Sequence, residues 1–233
     1  MNAQTEHFLL QGAAGNLQCA LDLPDPETHA APIGLALVAH PHPLFGGTMD
    51  NKVAQTLART FTGLGYAAVR MNFRGVGKSE GTHDAGMGET DDMELLLAAM
   101  RARYPDLPLA LAGFSFGTFV QARLQQRLQE NGKPAERMAL VGAAAGKWEM
   151  PAIPANTILI HGELDDTIPL SAVLDWLRPQ DIPVTVIPGA DHFFHRRLHH
   201  IKQLITSSGI EPDAVATRFH AVHLQISCRE WIC

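Results

Sequence analysis

Cysteine is scarce in this chain. The three present, Cys19, Cys228 and Cys233, are odd in number and lack the spacing of a metal site. That argues against a disulfide framework and points to a reducing, cytoplasmic setting. Basic clusters are missing too: 18 Lys and Arg stand against 24 Asp and Glu, for a net charge of −6. With no basic block, nucleic acid is not an expected partner. No apolar run approaches the roughly 20 residues that cross a bilayer, so no membrane partner is expected either. The opening Met1-Asn2-Ala3-Gln4-Thr5-Glu6-His7 has no basic region leading into an apolar stretch, and no signal peptide is read there. What is there is 233 residues, 46% hydrophobic and 18% charged, the balance of a globular protein with one large core.

Short apolar strands alternate with amphipathic helices along the chain. His7 to Gly12 and Leu17 to Leu23 flank a glycine-bounded turn and read as a hairpin at a sheet edge. Gly34 to Ala39 and Ala67 to Phe73 are buried strands, separated by a helix from about Asp50 to Leu64 that Gly65 stops. From Glu89 to Tyr104, Met93, Leu96, Leu97 and Met100 recur at helical spacing. Glu89, Asp91 and Asp92 crowd the start of that helix, where its dipole favours them. Further strands are expected at Arg137 to Ala144, Thr157 to Glu163 and Val184 to Pro188. Pro169 leads in one more helix, and a last one runs from near Phe193 to near Ile205. Such alternation implies right-handed βαβ crossovers, hence a doubly wound, mostly parallel α/β sheet with helices on both faces. Residues 1–205 make one such domain. Residues 206–233 are a C-terminal extension, whose Phe219, Val222, Ile226 and Trp231 suit either an added amphipathic helix or a loose tail.

One stretch carries chemistry plainly. Leu109-Ala110-Leu111-Ala112 is an uncharged run that ends in Gly113-Phe114-Ser115-Phe116-Gly117, and a helical pattern follows. A strand buried on both faces, turning sharply into a helix, needs glycines where Cβ atoms would clash. Such an elbow exposes the Ser115 hydroxyl at the carboxyl end of the sheet and aims the Phe116 N–H at the same spot. A serine hydroxyl becomes a nucleophile only when an imidazole takes its proton and a carboxylate orients that imidazole. Downstream, two strand ends offer these groups: His161-Gly162-Glu163-Leu164-Asp165-Asp166, then Gly189-Ala190-Asp191-His192-Phe193-Phe194. Asp165 and Asp166 both qualify as the acid, whereas Asp191, adjacent to His192, points its side chain elsewhere. The order along the chain is serine, aspartate, histidine, and in a doubly wound sheet such groups gather at the carboxyl ends of the strands.

These motifs resemble those of the α/β-hydrolase superfamily over about residues 7–205. Within it the chain is similar to small lidless bacterial serine esterases and dienelactone-hydrolase-like proteins. The nearest of these carry His-Pro-His-Pro-x-x-Gly-Gly, here from His40, and Asn-Phe-Arg-Gly-Val-Gly-x-Ser, here from Asn72. The resemblance implies Ser115 as nucleophile, His192 as base and Asp165 as orienting acid, four residues after the loop histidine. Asp166 then faces solvent. His40-Pro41-His42-Pro43 lines up with the family's oxyanion loop, which makes the His42 N–H the second donor beside Phe116, with Leu44 as fallback. The implied activity is hydrolysis of a small-molecule acyl (carboxylic) ester through an acyl-enzyme, with no cofactor. A serine in place of cysteine counts against a dienelactone hydrolase in the strict sense. A peptidase or thioesterase on the same triad, and a non-catalytic binding protein of this fold, are the alternatives. A homodimer stays open.

No lid domain is expected, because only a short stretch separates Ala144 from Thr157. Trp148, Met150 and Ile153 in that stretch, with Phe45 opposite, either line a shallow acyl pocket or seal the loop against the core. No metal site is expected. His40-x-His42 lacks further ligands, and His195 and His199 frame Arg196 where the zinc motif needs glutamate. Gly77-Lys78-Ser79 has Asn72 where a phosphate loop needs glycine. Asn72 to Gly81 is instead a turn near the site, with Arg74 or Asn72 bracing neighbouring loops. Met87, Met93 and Met100 are core filler.

Overall fold

Glu6–Gly12 (β1) and Gly15–Asp22 (β2) pair antiparallel, with Gly12 opposite Gly15 at the hairpin tip. The computed structural model, which describes residues 5–208, continues this hairpin into one sheet. Its further strands are Gly34–Ala39 (β3), Tyr66–Met71 (β4), Leu109–Phe114 (β5), Arg137–Val141 (β6), Ile158–Gly162 (β7) and Thr185–Ile187 (β8). Spatial order is β1-β2-β4-β3-β5-β6-β7-β8, antiparallel as far as β4 and parallel from there on. The helices are Lys52–Gly63 (α1), Met87–Arg103 (α2), Phe116–Glu130 (α3), Leu170–Leu177 (α4) and Leu198–Ser207 (α5). Among the described residues no helix is long and apolar enough to cross a membrane.

Every residue of β3, β4 and β5 is buried, as strands covered on both faces must be. Alternation divides them between two cores. Leu35, Leu37, Leu109 and Leu111 meet Met93, Leu96, Val120 and Leu124 of α2 and α3. On the other face Ala36, Ala68, Ala110 and Ala112 meet Val53, Leu57 and Phe61 of α1 and Ile201 and Ile205 of α5. Small residues there let α1 lie close to the sheet. Arg70 is the one charge inside these three strands, and its guanidinium donates to Asp22 Oδ2 (3.0 Å) and the Met49 carbonyl (2.9 Å). Asn51 caps α1, its side-chain oxygen accepting from the Val53 N–H (2.9 Å).

Three expectations from periodicity need correction. β6 ends at Val141 rather than Ala144, because Gly142 turns the chain at a φ of 57°. α5 begins at Leu198, not near Phe193. Residues 192–197 form turns in which Phe194 (φ 53°) and Arg196 (φ 61°) are left-handed, which buries Phe194. Met87 is exposed at the start of α2, whereas Met93 and Met100 are buried as expected. The extension residues Phe219, Val222, Ile226 and Trp231, with Cys228 and Cys233, lie outside the described residues. Cys19 is buried in β2, and burial pushes its thiol up to about 12.

Candidate active site

The register that aligns Ala39 with Gly113 brings the ends of β3 and β5 out side by side. Two glycines make their closeness tolerable. A Cβ at Gly113 would sit 2.6 Å from the Gly117 carbonyl, and one at Gly117 would sit 2.5 Å from the Ala39 carbonyl. Between them Ser115 adopts φ 54° and ψ −122°, a conformation that costs a non-glycine residue on the order of 1–3 kcal/mol. Neighbours over-determine it. Its N–H donates to Val141 O (3.0 Å), and its carbonyl accepts from Thr118 Oγ1 (2.6 Å).

The Ser115 hydroxyl lies 2.9 Å from His192 Nε2, and His192 Nδ1 lies 2.7 Å from Asp165 Oδ2. A carboxylate only accepts, so the proton sits on Nδ1 and leaves Nε2 free to accept from the serine. Asp165 is buried, and its other oxygen accepts from the Thr167 N–H (3.0 Å) and the Ile168 N–H (2.7 Å). His161 backs this loop, donating from Nε2 to Ile168 O (2.9 Å), with its buried Nδ1 unpartnered among the described residues, while burial lowers its pKa. Asp166 is exposed and does not reach His192. Asp191 turns away to His195, whose Nδ1 lies 2.6 Å from its carboxylate.

On the opposite side, Pro43–Phe45 makes a single 3-10 turn after His42. The fallback donor is spent there, since the Leu44 N–H donates to His42 Nδ1 (3.2 Å). Among the described residues, neither the His42 N–H nor the Phe116 N–H has an acceptor in the chain. A cavity of about 580 Å³ opens over Ser115 and His192, with Phe45, Trp148, Phe193, Thr167 and Lys147 in its walls. Phe45 is 85% exposed at its rim. Trp148 both faces the cavity and stacks on Phe119 at 5.1 Å. Met150 does not line it. Past Trp148 the loop runs toward α4, where Trp176 Nε1 donates to Pro151 O (3.3 Å), and Met150 and buried Ile153 pack on the core. Phe193, Lys147, Thr167 and Ile168 are wall residues that motif spacing does not reveal. The Phe193-Phe194 pair is the one available hint, and it splits with one ring outward and one in.

Among the described residues no three His, Cys, Asp or Glu side chains converge as metal ligands. Both nitrogens of His40 are engaged: Nε2 accepts from the Phe73 N–H (2.9 Å) and Nδ1 donates to Pro41 O (2.6 Å). Burial lowers its pKa to about 3. Burial and the neighbouring His83 also hold His42 below the ordinary value. Ser79 is committed to structure, donating to Asn72 O (2.7 Å) and accepting from the Gln18 N–H (2.9 Å). Asn72 and Arg74 do brace this loop. Asn72 Oδ1 accepts from the Met49 N–H (2.8 Å), and Arg74 forms two hydrogen bonds to Asp92. Glu89 and Asp92 are therefore buried partners of the loop before α2, beyond any dipole effect. A second cleft, of about 440 Å³, lies between α1 and the hairpin, near the Arg70–Asp22 pair, and holds none of the groups around Ser115.

A model of the serine aminopeptidase S33 family (Hydrolase_4) matches residues 44–205. The protein RP471 of Rickettsia prowazekii (strain Madrid E) is 32% identical over 182 residues, which is 73% of this chain and 76% of that one. XC6422 of Xanthomonas campestris, described as an α/β serine hydrolase without a lid, superposes with a TM-score of 0.81. It is 35% identical, over 89% of this chain and 94% of its own. An α/β serine hydrolase homologue from Coxiella burnetii gives 0.74 at 34% identity, over 87% and 96%. With its doubly wound sheet, its elbow and only residues 142–157 between β6 and β7, the chain belongs to the serine aminopeptidase S33 family and is a lidless serine hydrolase of the α/β-hydrolase fold.

Proposed function

We propose that this serine hydrolase is a carboxylic ester hydrolase for small acyl esters, akin to the small lidless esterases and dienelactone-hydrolase-like enzymes. The observation that carries this is the unbroken chain Asp165–His192–Ser115 (2.7 and 2.9 Å) opening into an aromatic-walled cavity. Ser115 Oγ attacks the ester carbonyl while its proton passes to His192 Nε2. Asp165 stabilises the imidazolium. The His42 and Phe116 N–H groups receive the oxyanion, and Phe45 and Trp148 flank the acyl group. Collapse expels the alcohol, which takes the proton from His192. Water, activated by the same imidazole, then releases the acid and restores Ser115. The substrate is a small molecule and the setting cytoplasmic, as the net charge of −6 and the scarcity of cysteine suggest.

The family's name favours an aminopeptidase as the second proposal. Cavity charge weighs against it. An aminopeptidase substrate carries an α-ammonium that needs a carboxylate, whereas the described wall residues include Lys147 and no Asp or Glu. The test is a fluorophosphonate probe together with a panel of acyl esters, thioesters and aminoacyl anilides. One adduct per chain, absent in Ser115→Ala, with esters turned over fastest, is expected. Adducts elsewhere, or ester turnover surviving Ser115→Ala, would overturn the assignment, and preference for aminoacyl anilides would favour the aminopeptidase.

A further inference from the structure

Beside the site lies a second buried carboxylate holding a second imidazole. Glu89, on the first turn of α2, is fully buried. Its Oε1 accepts from His83 Nδ1 (2.8 Å) and the Asp84 N–H (2.9 Å), and its Oε2 from the Gly86 N–H (2.8 Å). This fixes the His83 ring, which is itself mostly covered. The ring lies 4.7 Å from that of His42 and 5.3 Å from that of Phe116, centre to centre. His42 and Phe116 close the triangle at 4.9 Å, and Trp148 caps it, 4.9 Å from Phe116 and 5.8 Å from His42.

The two members of that triangle other than His83 are the residues whose N–H groups would hold the oxyanion. They come from different segments. Phe116 is locked into α3 against the sheet, whereas His42 sits in a loop whose next residues, Leu44 and Phe45, are exposed. An oxyanion site works only if both donors keep their aim to well under 1 Å. The His42 carbonyl accepts from the Phe45 N–H (3.2 Å) and the Gly47 N–H (3.0 Å), which shape the loop itself. Side-chain contacts must set its distance from Phe116, and the contact with the firmest anchor is the one through His83 to Glu89. We propose that His83 is a positioning residue for the oxyanion loop, tethered by Glu89 and setting the spacing between His42 and Phe116. The proposal rests on the esterase assignment above.

The experiment compares His83→Ala, which removes tether and ring, with His83→Phe, which keeps the ring. The readouts are kcat and KM for p-nitrophenyl butyrate and the affinity of butylboronic acid, whose adduct on Ser115 places an oxygen in the oxyanion site. His83→Ala should lose about tenfold or more in kcat, part of the 10²–10³ that complete loss of a donor costs. KM should stay within about twofold and boronate affinity should fall in parallel with kcat, because the binding walls are untouched. His83→Phe, which keeps the ring but loses its bond to Glu89, should recover only part of that loss. Should His83→Ala fail to fold, His83→Gln, which keeps a donor to Glu89 but not the ring, carries the same expectation. An unchanged kcat, or a loss confined to KM with boronate affinity intact, would overturn the proposal while Ser115→Ala remained inert. Turnover surviving Ser115→Ala would instead remove the esterase assignment on which it rests.

Discussion

Replacing Asp165 by Asn changes one atom of a buried, fully bonded carboxylate, so its effect on catalysis is unusually easy to derive. Oδ1 is held by the Thr167 and Ile168 N–H groups, and Oδ2 faces His192 Nδ1. An amide has one accepting oxygen, and two backbone donors claim it. The new NH₂ therefore faces Nδ1, which must become the acceptor, and the imidazole proton moves to Nε2. In that tautomer His192 points a proton at Ser115 Oγ and cannot take one. Turnover should fall by about 10⁴, equivalent to roughly 5.5 kcal/mol of transition-state stabilisation. Folding should survive, since the two backbone bonds that shape the acid loop persist. Asp166→Asn alters an exposed charge with one weak partner at 3.4 Å and should cost less than about tenfold. The assay is kcat for p-nitrophenyl butyrate, with the melting temperature as a control. A loss below tenfold in Asp165→Asn, or equal losses in both variants, would refute the tautomer reasoning.

Two further outcomes follow from the cavity and from the buried loop histidine. Across p-nitrophenyl esters, kcat/KM should climb from acetate to about butyrate or hexanoate, by at most about fourfold per buried CH₂, then fall as the chain leaves the walls. A maximum at decanoate or longer, or activation at an oil–water interface, would contradict an open, lidless site. His40 is held neutral in the native protein, with a pKa of about 3 against about 6.5 unfolded. The unfolded chain thus binds the proton first, and stability should be whole above about pH 6.5 and decline toward pH 3, by up to about 1.4 kcal/mol per unit. Urea midpoints measured from pH 7 to pH 4 should drop less steeply in His40→Gln. Parallel slopes would show that His40 does not contribute.

Legibility in the sequence tracked how local the cause was. β5 and the elbow could be read directly, because an uncharged run ending in Gly-x-Ser-x-Gly contains its own instructions. Chain order offered His192 and either Asp165 or Asp166, the family resemblance chose Asp165, and the sheet brings Asp165 and His192 to Ser115. Helix starts failed where burial outweighed period: Phe194 is drawn inward by two left-handed turns, which delays α5 to Leu198. Glu89 was legible only as an acidic helix start, because its partner His83 arrives on a loop whose path no periodicity encodes. Trp148 and Met150 sit two residues apart in irregular chain, where nothing in the sequence says which faces the cavity and which the core.

The position of β8 has a consequence for how this molecule ages under heat. Ser115 hangs from a central strand paired on both sides, whereas His192 follows a three-residue strand that, among the described residues, lies at the sheet's edge and is bonded to β7 alone. Edge segments open at free energies well below that of the whole domain. His192 can therefore swing away while Ser115, its elbow and both cores stay native. Reversible loss of activity is therefore expected at temperatures below melting, and the gap between the two transitions should measure how firmly α5 and the turns at Phe194 hold the sheet's last strand in place.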